Sequence, residues 1–354
     1  MKALVLSGGS GTRLRPITHT SAKQLVPVGN KPVIDFGLEA IAAAGITDVG
    51  IIVGKTGPEI RAHIGDGSQY GINVSFIDQP DPLGLAHAVL TAEPFLGRDD
   101  FIMYLGDNLV AGGVTEFVRE FEETKPDAQI LLARVRDPER FGVAELGDDG
   151  NICRLVEKPK EPKSDLALVG VYLFSGNIMD ACHAIEPSAR GELEITDAIQ
   201  WLIDQGQTVA QHTITGWWKD TGKLADMLEA NRIVLDRYET RLEGEIDAAS
   251  EIQGRVVLEA GAKIINSTVR GPAAIGANTV IENTFIGPYT SIYHDCVVKN
   301  SVIEHSIVLE ETSIADVPAM TDSLLGRKVE VAHTETRPER YQLVLGDHSK
   351  VGLI

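Results

Sequence analysis

The residues best suited to chemistry crowd into the stretch from Leu6 to Pro32. Gly8, Gly9 and Gly11 follow a short apolar run, and Arg13, Arg15, Lys23 and Lys31 come next, with no acidic residue before Asp35. Glycines let backbone N–H groups approach a ligand with no Cβ in the way. Cations beside free amides suit a polyanion, and phosphate fits this combination best. The setting sharpens the point, because the 354-residue chain carries a formal net charge of -19. The spacing G-G-x-G-T-R-L-x-P excludes two common phosphate loops. Leu14 stands where a dinucleotide fingerprint needs its third glycine, and no Gly-Lys-Ser/Thr ends the run as in a Walker loop.

The run continues as K-Q-L-x-P-V and then K-P. With the glycine loop it resembles the nucleotide-binding loop of the sugar-nucleotidyltransferases, and Lys23-Gln24-Leu25 is similar to their glucose-1-phosphate thymidylyltransferase branch. The resemblance spans about residues 1–238, and the tail after it matches the long form. It implies that a sugar-1-phosphate, here glucose-1-phosphate, attacks the α-phosphorus of a nucleoside triphosphate, here dTTP, and that pyrophosphate leaves. The attacking phosphate is already anionic near neutral pH, so no general base is needed. Catalysis then comes from aligning two anions and neutralising their charge.

The resemblance also implies a site. Leu6, Gly8, Gly9, Gly11 and Thr12 would cradle the triphosphate; Arg13 would neutralise its departing end and Lys23 the α-phosphate. Gln79 and Gly84 would meet the pyrimidine, with Gln24 at the ribose or phosphate edge. Asp107, counted as catalytic with Arg13 and Lys23, would hold Mg²⁺ together with Asp220, since magnesium pairs one or two carboxylates with substrate phosphates. On the sugar-phosphate side stand Asn108, Gly142, Glu157, Lys158 and Arg190, with Val169 and Tyr172 as pocket wall. Trp217 and Trp218 read as packing beneath the Asp220 loop.

These residues need a frame. Apolar runs at 1–6, 48–53, 73–77, 101–105, 129–134, 166–174 and 208–214 read as strands. Helices are expected at 31–44, with Pro32 near the start and Gly45 at the end, and at 58–64, 84–92, 114–124, 195–205 and 223–238. Residues 142–158 read as a hairpin about Asp148-Asp149-Gly150-Asn151. Strands alternating with helices predict an α/β, Rossmann-like, mainly parallel sheet flanked by helices, with ligands beyond the carboxyl ends of its strands. The glycine loop and Asp107 both follow strand ends and so should share a rim.

The tail has a different rhythm. Apolar residues recur at every sixth position: Ile252, Leu258, Ile264; Val269, Ile275; Val280, Ile286, Ile292, Val298; Val302, Val308, Ile314. Such a period marks a parallel β-helix, left-handed in the resembling family, with slips read as turn insertions. The expected domains are 1–240 (catalytic), 245–317 (β-helix) and 318–354 (tail). His294 and His305 lie in the coils and read as exposed or stacked side chains, not as acyltransferase bases.

The acidic balance argues against nucleic-acid and anionic-membrane binding. No apolar run is long enough to cross a bilayer. Cys153, Cys182 and Cys296 are odd in number and widely spaced, which suits a reducing cytoplasm. The expected partners are small-molecule substrates and further copies of the chain in a homo-oligomer. Rival readings are a transferase using UTP or another triphosphate, a sugar-nucleotide-sensing regulator, and a β-helix acyltransferase.

Overall fold

The computed structural model describes residues 1–9, 11–148 and 150–333, so Ser10, Asp149 and the tail from 334 onward lie outside the described residues. The chain divides into two compact units, Met1–Ser10 with Ile34–Asp220 and Gly11–Val33 with Thr221–Ile354.

The first unit is built on one mixed sheet. Phe101–Leu105, Lys2–Ser7, Asp48–Val53 and Asn73–Asp78 lie side by side and parallel. Leu166–Phe174 then pairs antiparallel with Phe101–Leu105, with Ala128–Arg134 and with the hairpin Gly142–Leu146/Ile152–Glu157. Val209–Thr213 adds to Ala128–Arg134 in parallel. Every residue of Leu166–Phe174 is buried, as its unbroken apolar sequence requires of a strand covered on both faces. Leu4, Phe101, Met103, Ile130 and Phe174 form the centre of the core.

Two elements depart from expectation. The first helix begins at Val33, and Lys31–Pro32 instead pairs antiparallel with Pro27–Val28. A residue before proline is held extended, so Lys31 cannot open a helix. The helix Ile178–Ala184 was not foreseen; seven residues give too little periodicity to read.

The second unit contains three parallel sheets, the architecture of the expected left-handed β-helix. Their strands begin at Arg241–Leu242 and run to Glu330–Ala332. In most coils residues 17 apart stack, and in some 16 apart, fewer than the 18 of three perfect hexapeptides. The slips are therefore shortenings, not insertions, and they move the register. Ile281 and Ile303, not Val280 and Val302, fill the core. The shortened corners hold Asn266, Asn283, Asn300 and Asp316 at positive φ, a region asparagine and aspartate tolerate better than most residues. Each asparagine amide donates to the next residue in the column, at 2.7, 3.3 and 2.8 Å. Beside them a hydroxyl column, half-buried at Ser250 and buried at Ser267, Thr284 and Ser301, accepts one backbone N–H from each following coil.

Residues 11–33 are fastened into this unit by Asn231 on the helix Leu224–Leu235. Its fully buried amide accepts from Gly29 N–H (2.7 Å) and Ser291 Oγ (2.7 Å) and donates to Tyr289 O (3.0 Å). Tyr238 Oη donates to Gly29 O and Asn30 Nδ2 to Ile292 O. Asn231→Leu keeps the branched outline but adds bulk and strands three polar groups, so it should cost about 2–4 kcal/mol. Urea titration of both proteins checks this; coincident midpoints would refute it.

Candidate active site

In the first unit the parallel strands end in the loops that carry the expected residues. Lys2–Ser7 leads into Gly8, where a Cβ would stand 3.2 Å from Gln79 Oε1. At Gly54, after the neighbouring strand, a Cβ would lie 2.9 Å from Gly8 O. Two glycines thus let two loops touch through their backbones. Leu6 contributes its carbonyl, which accepts from Gly106 N–H at 3.0 Å, while its side chain stays in the core. Gly9 is exposed.

Gln79 is buried. Its N–H donates to Val53 O at 2.9 Å and its side-chain amide lies 2.8 Å from His87 Nδ1. Gly84 follows with φ +113°, and a Cβ there would fall 2.3 Å from Leu193 O. Only glycine fits, because Leu193 N–H donates to Leu83 O (2.7 Å) and Ala86 N–H to Leu193 O (3.1 Å). The 79–84 loop is thereby joined to the Arg190–Glu194 segment.

Asp107 follows Phe101–Leu105 and is buried, accepting from Asn108 Nδ2 at 3.1 Å. Asn108–Val110 pairs antiparallel with Trp218–Asp220, so Asn108 faces Asp220 directly. Directly opposed residues have Cβ atoms ~5 Å apart, so Asp107 lies one residue along the ladder from Asp220. Trp218 Nε1 donates to Asn108 Oδ1, and its ring meets Phe141 edge-on at 5.1 Å. Trp218 is thus a support under the ribbon. The Tyr104 phenol, donating to Asn108 O, has its pKa pushed up by burial and further by the Asp107 charge.

Asp107 and Asp220 stand one residue apart along this short ribbon, and each offers only hard oxygen donors. Among the described residues no group of three or more His, Cys, Asp or Glu is placed to hold a metal. A pair fits a magnesium ion that keeps phosphate oxygens and waters as its remaining ligands.

The hairpin Gly142–Leu146/Ile152–Glu157 carries Gly142 and Glu157, two of the residues expected on the sugar-phosphate side. A Cβ on Gly142 would meet Thr196 Cγ2 at 2.8 Å and Glu157 Oε2 at 3.1 Å, so glycine makes room for both. Glu157 pairs with Lys158 Nζ at 3.2 Å and lies 3.6 Å from Arg190 Nη2. Val169 and Tyr172 are buried where Leu166–Phe174 slips register between Leu168 and Tyr172. Burial, then the Glu157 charge, pushes the Tyr172 phenol upward.

Arg190 is held by its neighbours. It makes a two-pronged pair with buried Glu194 at 2.9–3.0 Å and a single hydrogen bond to Glu192 at 2.9 Å. Ser188 Oγ also donates to Glu194. Sequence reasoning missed Glu194, His87 and Thr196; the four-residue Arg190–Glu194 spacing was the readable hint for the first. Arg13, Lys23, Gln24, Gly11 and Thr12 belong to the other compact unit. There Gly11 takes φ +61°, its carbonyl accepting from Thr18 Oγ1 at 2.6 Å. Thr12 and Arg13 are exposed on a 3₁₀ turn. Gln24 is buried, and its amide oxygen has no partner among the described residues. His294 and His305 pair with Asp295 and Asp322.

Burial raises the Glu157 carboxyl above the ordinary range, against the opposing pull of Lys158. A raised carboxyl takes up its proton at a higher pH and then no longer accepts from two directions. If Glu157 has the expected sugar-phosphate role, the KM for that substrate should climb as pH falls toward the carboxylate range, earlier than for an ordinary glutamate. Glu157→Gln should flatten that acidic limb, as read from KM measured across pH; an unaltered limb would remove Glu157 from the sugar side.

Comparison with known proteins completes the description. The family Nucleotidyl transferase matches residues 2–237. Similar proteins include a glucose-1-phosphate thymidylyltransferase of Streptomyces griseus, 59% identical over 99% of both chains, and one of Streptomyces antibioticus, 57% identical over 99% of both. A Bacillus anthracis crystal structure named for the same activity, in complex with sucrose, aligns with TM-score 0.63 and 37% identity, covering 68% of this chain and 98% of its own.

Proposed function

The chain belongs to the nucleotidyl transferase family, and on that premise we propose that it transfers a thymidylyl group from dTTP to glucose-1-phosphate. The products are dTDP-glucose and pyrophosphate. The observation that carries this reading is the identity of 59% and 57%, over 99% of the chain, to two thymidylyltransferases. A phosphate oxygen of the sugar attacks the α-phosphorus as the bond to the β-phosphate breaks, and pyrophosphate leaves with the electron pair. Attack by one anion on another needs alignment and cations more than a base.

In this reading Gln79 and Gly84 take the pyrimidine, and Glu157, Lys158 and Arg190 take the sugar phosphate. Arg13 and Lys23 neutralise the triphosphate. The family generally uses a divalent metal; here it would be magnesium, and Asp107 and Asp220 would hold it. When bound, the ion offsets negative charge on phosphate oxygens. Glu194 fixes Arg190 in one orientation, which spares ordering cost on binding. The cysteines are all free, which suits a reducing cytoplasm.

The deciding experiment measures pyrophosphate release from each triphosphate with glucose-1-phosphate, with and without magnesium. Highest turnover is expected with dTTP and none after chelation. UTP lacks the thymine methyl, worth about 1–3 kcal/mol in an apolar pocket, and carries a 2′-hydroxyl that dTTP does not, so it should be a poorer but measurable substrate. A clear preference for UTP would reassign the enzyme.

A further inference from the structure

We infer that His87 is a positioning residue that decides which end of the Gln79 amide is offered to the base, and so selects pyrimidines that carry a ring N3–H. This rests on the reading above, in which Gln79 meets the base.

A glutamine amide has one accepting end and one donating end. Here Gln79 Nε2 lies 2.8 Å from His87 Nδ1, and the two side chains make no other side-chain hydrogen bond among the described residues. For the amide to donate, Nδ1 must be the unprotonated nitrogen, with the imidazole neutral and its proton on Nε2. Oε1 is then turned away from His87. It faces the space that Gly8 leaves by having no Cβ, 3.2 Å from where one would stand.

The amide has little other freedom. Gln79 is buried and its main chain is tied to Val53. His87 sits on the helix Leu85–Thr91, which starts at the Gly84–Leu193 junction. What remains is a half-turn of the amide. That half-turn would need the imidazole proton on Nδ1, so the tautomer of His87 and the end of the amide offered to the base are one and the same choice, and the amide as it stands requires a bare Nδ1.

The specificity follows from the fixed acceptor. Thymine and uracil present N3–H, a donor, and Oε1 accepts it. Cytosine presents a bare N3, so acceptor meets acceptor and both stay unpaired. A site built to hydrogen-bond one pattern strongly rejects a base that lacks it, while it barely notices a methyl group. His87 thus accounts for discrimination by ring pattern and leaves thymine and uracil close together.

The test compares kcat and KM for dTTP and dCTP, with glucose-1-phosphate, in wild type, His87→Leu and His87→Gln. Leucine offers no acceptor; glutamine supplies a carbonyl oxygen in its place. His87→Leu should raise KM for dTTP and shrink the dTTP:dCTP ratio of kcat/KM, each about tenfold, with kcat little changed. His87→Gln should restore most of both. An unchanged ratio in His87→Leu, beside an active wild type, would overturn the role of His87 and leave the proposed function intact. A wild type that shows no preference for dTTP would sink both. Should the leucine variant fail to fold, long-range ¹H–¹⁵N spectra of the wild-type chain decide. A bare Nδ1 on His87 supports the proposal, and a protonated Nδ1 ends it.

Discussion

Asp107→Asn is expected to lower kcat by about a thousandfold, with the fold intact. Asparagine nearly matches aspartate in size and can still face Asn108, which now donates to the carboxyl at 3.1 Å. What disappears is a buried negative charge one residue along the ladder from Asp220. If the two carboxylates share one ion, Asp220→Asn should act in the same direction. The double variant should then cost little more than the worse single one, because residues that act as a unit are not additive. Pyrophosphate release at saturating magnesium supplies the rates, and thermal unfolding shows that the chain still folds. A loss smaller than about tenfold would deny Asp107 a part in holding the metal.

Lys23→Ala should cost about 10²–10³ in kcat, as expected when one preorganised charge is removed from a developing anion. Lys23 is flanked by buried Ala22 and by buried Gln24 and Leu25 on a 3₁₀ turn, so its main chain is fixed even though the side chain is long. Arginine is a planar fork where lysine is a compact point charge, and Lys23→Arg should recover only part of the loss. Steady-state rates with dTTP and glucose-1-phosphate for the three proteins give the answer. Equal kcat in Lys23→Ala and wild type would remove this residue from the catalytic set.

Much of the frame was legible because apolar periodicity reports directly on burial. Asp48–Val53, Phe101–Leu105 and Leu166–Phe174 could be read to the residue for that reason. The coils were legible in kind but not in register. A period says that one face is buried; it does not say whether a slip adds or removes a residue, and Val280 and Ile281 are equally apolar. The places of Gly8, Asp107 and Glu157 at strand ends were legible because each lies at the end of a readable strand. Partners supplied by distant segments were not. Nothing in the sequence of Gln79 names His87, and Gly84 needs glycine only because Leu193, far along the chain, crosses it. Pairing of this kind is decided by topology, which a one-dimensional pattern does not contain.

The anchoring of residues 11–33 by Asn231 has a consequence for biosynthesis. Gly29 emerges from the ribosome 202 residues ahead of Asn231, and Asn30 262 residues ahead of Ile292. At the usual pace of translation the first wait lasts roughly 10–40 s. A nascent polypeptide therefore cannot seat its arginine- and lysine-bearing segment until the final third of the message is being read, and products that stop short of Asn231 are born with that segment unanchored.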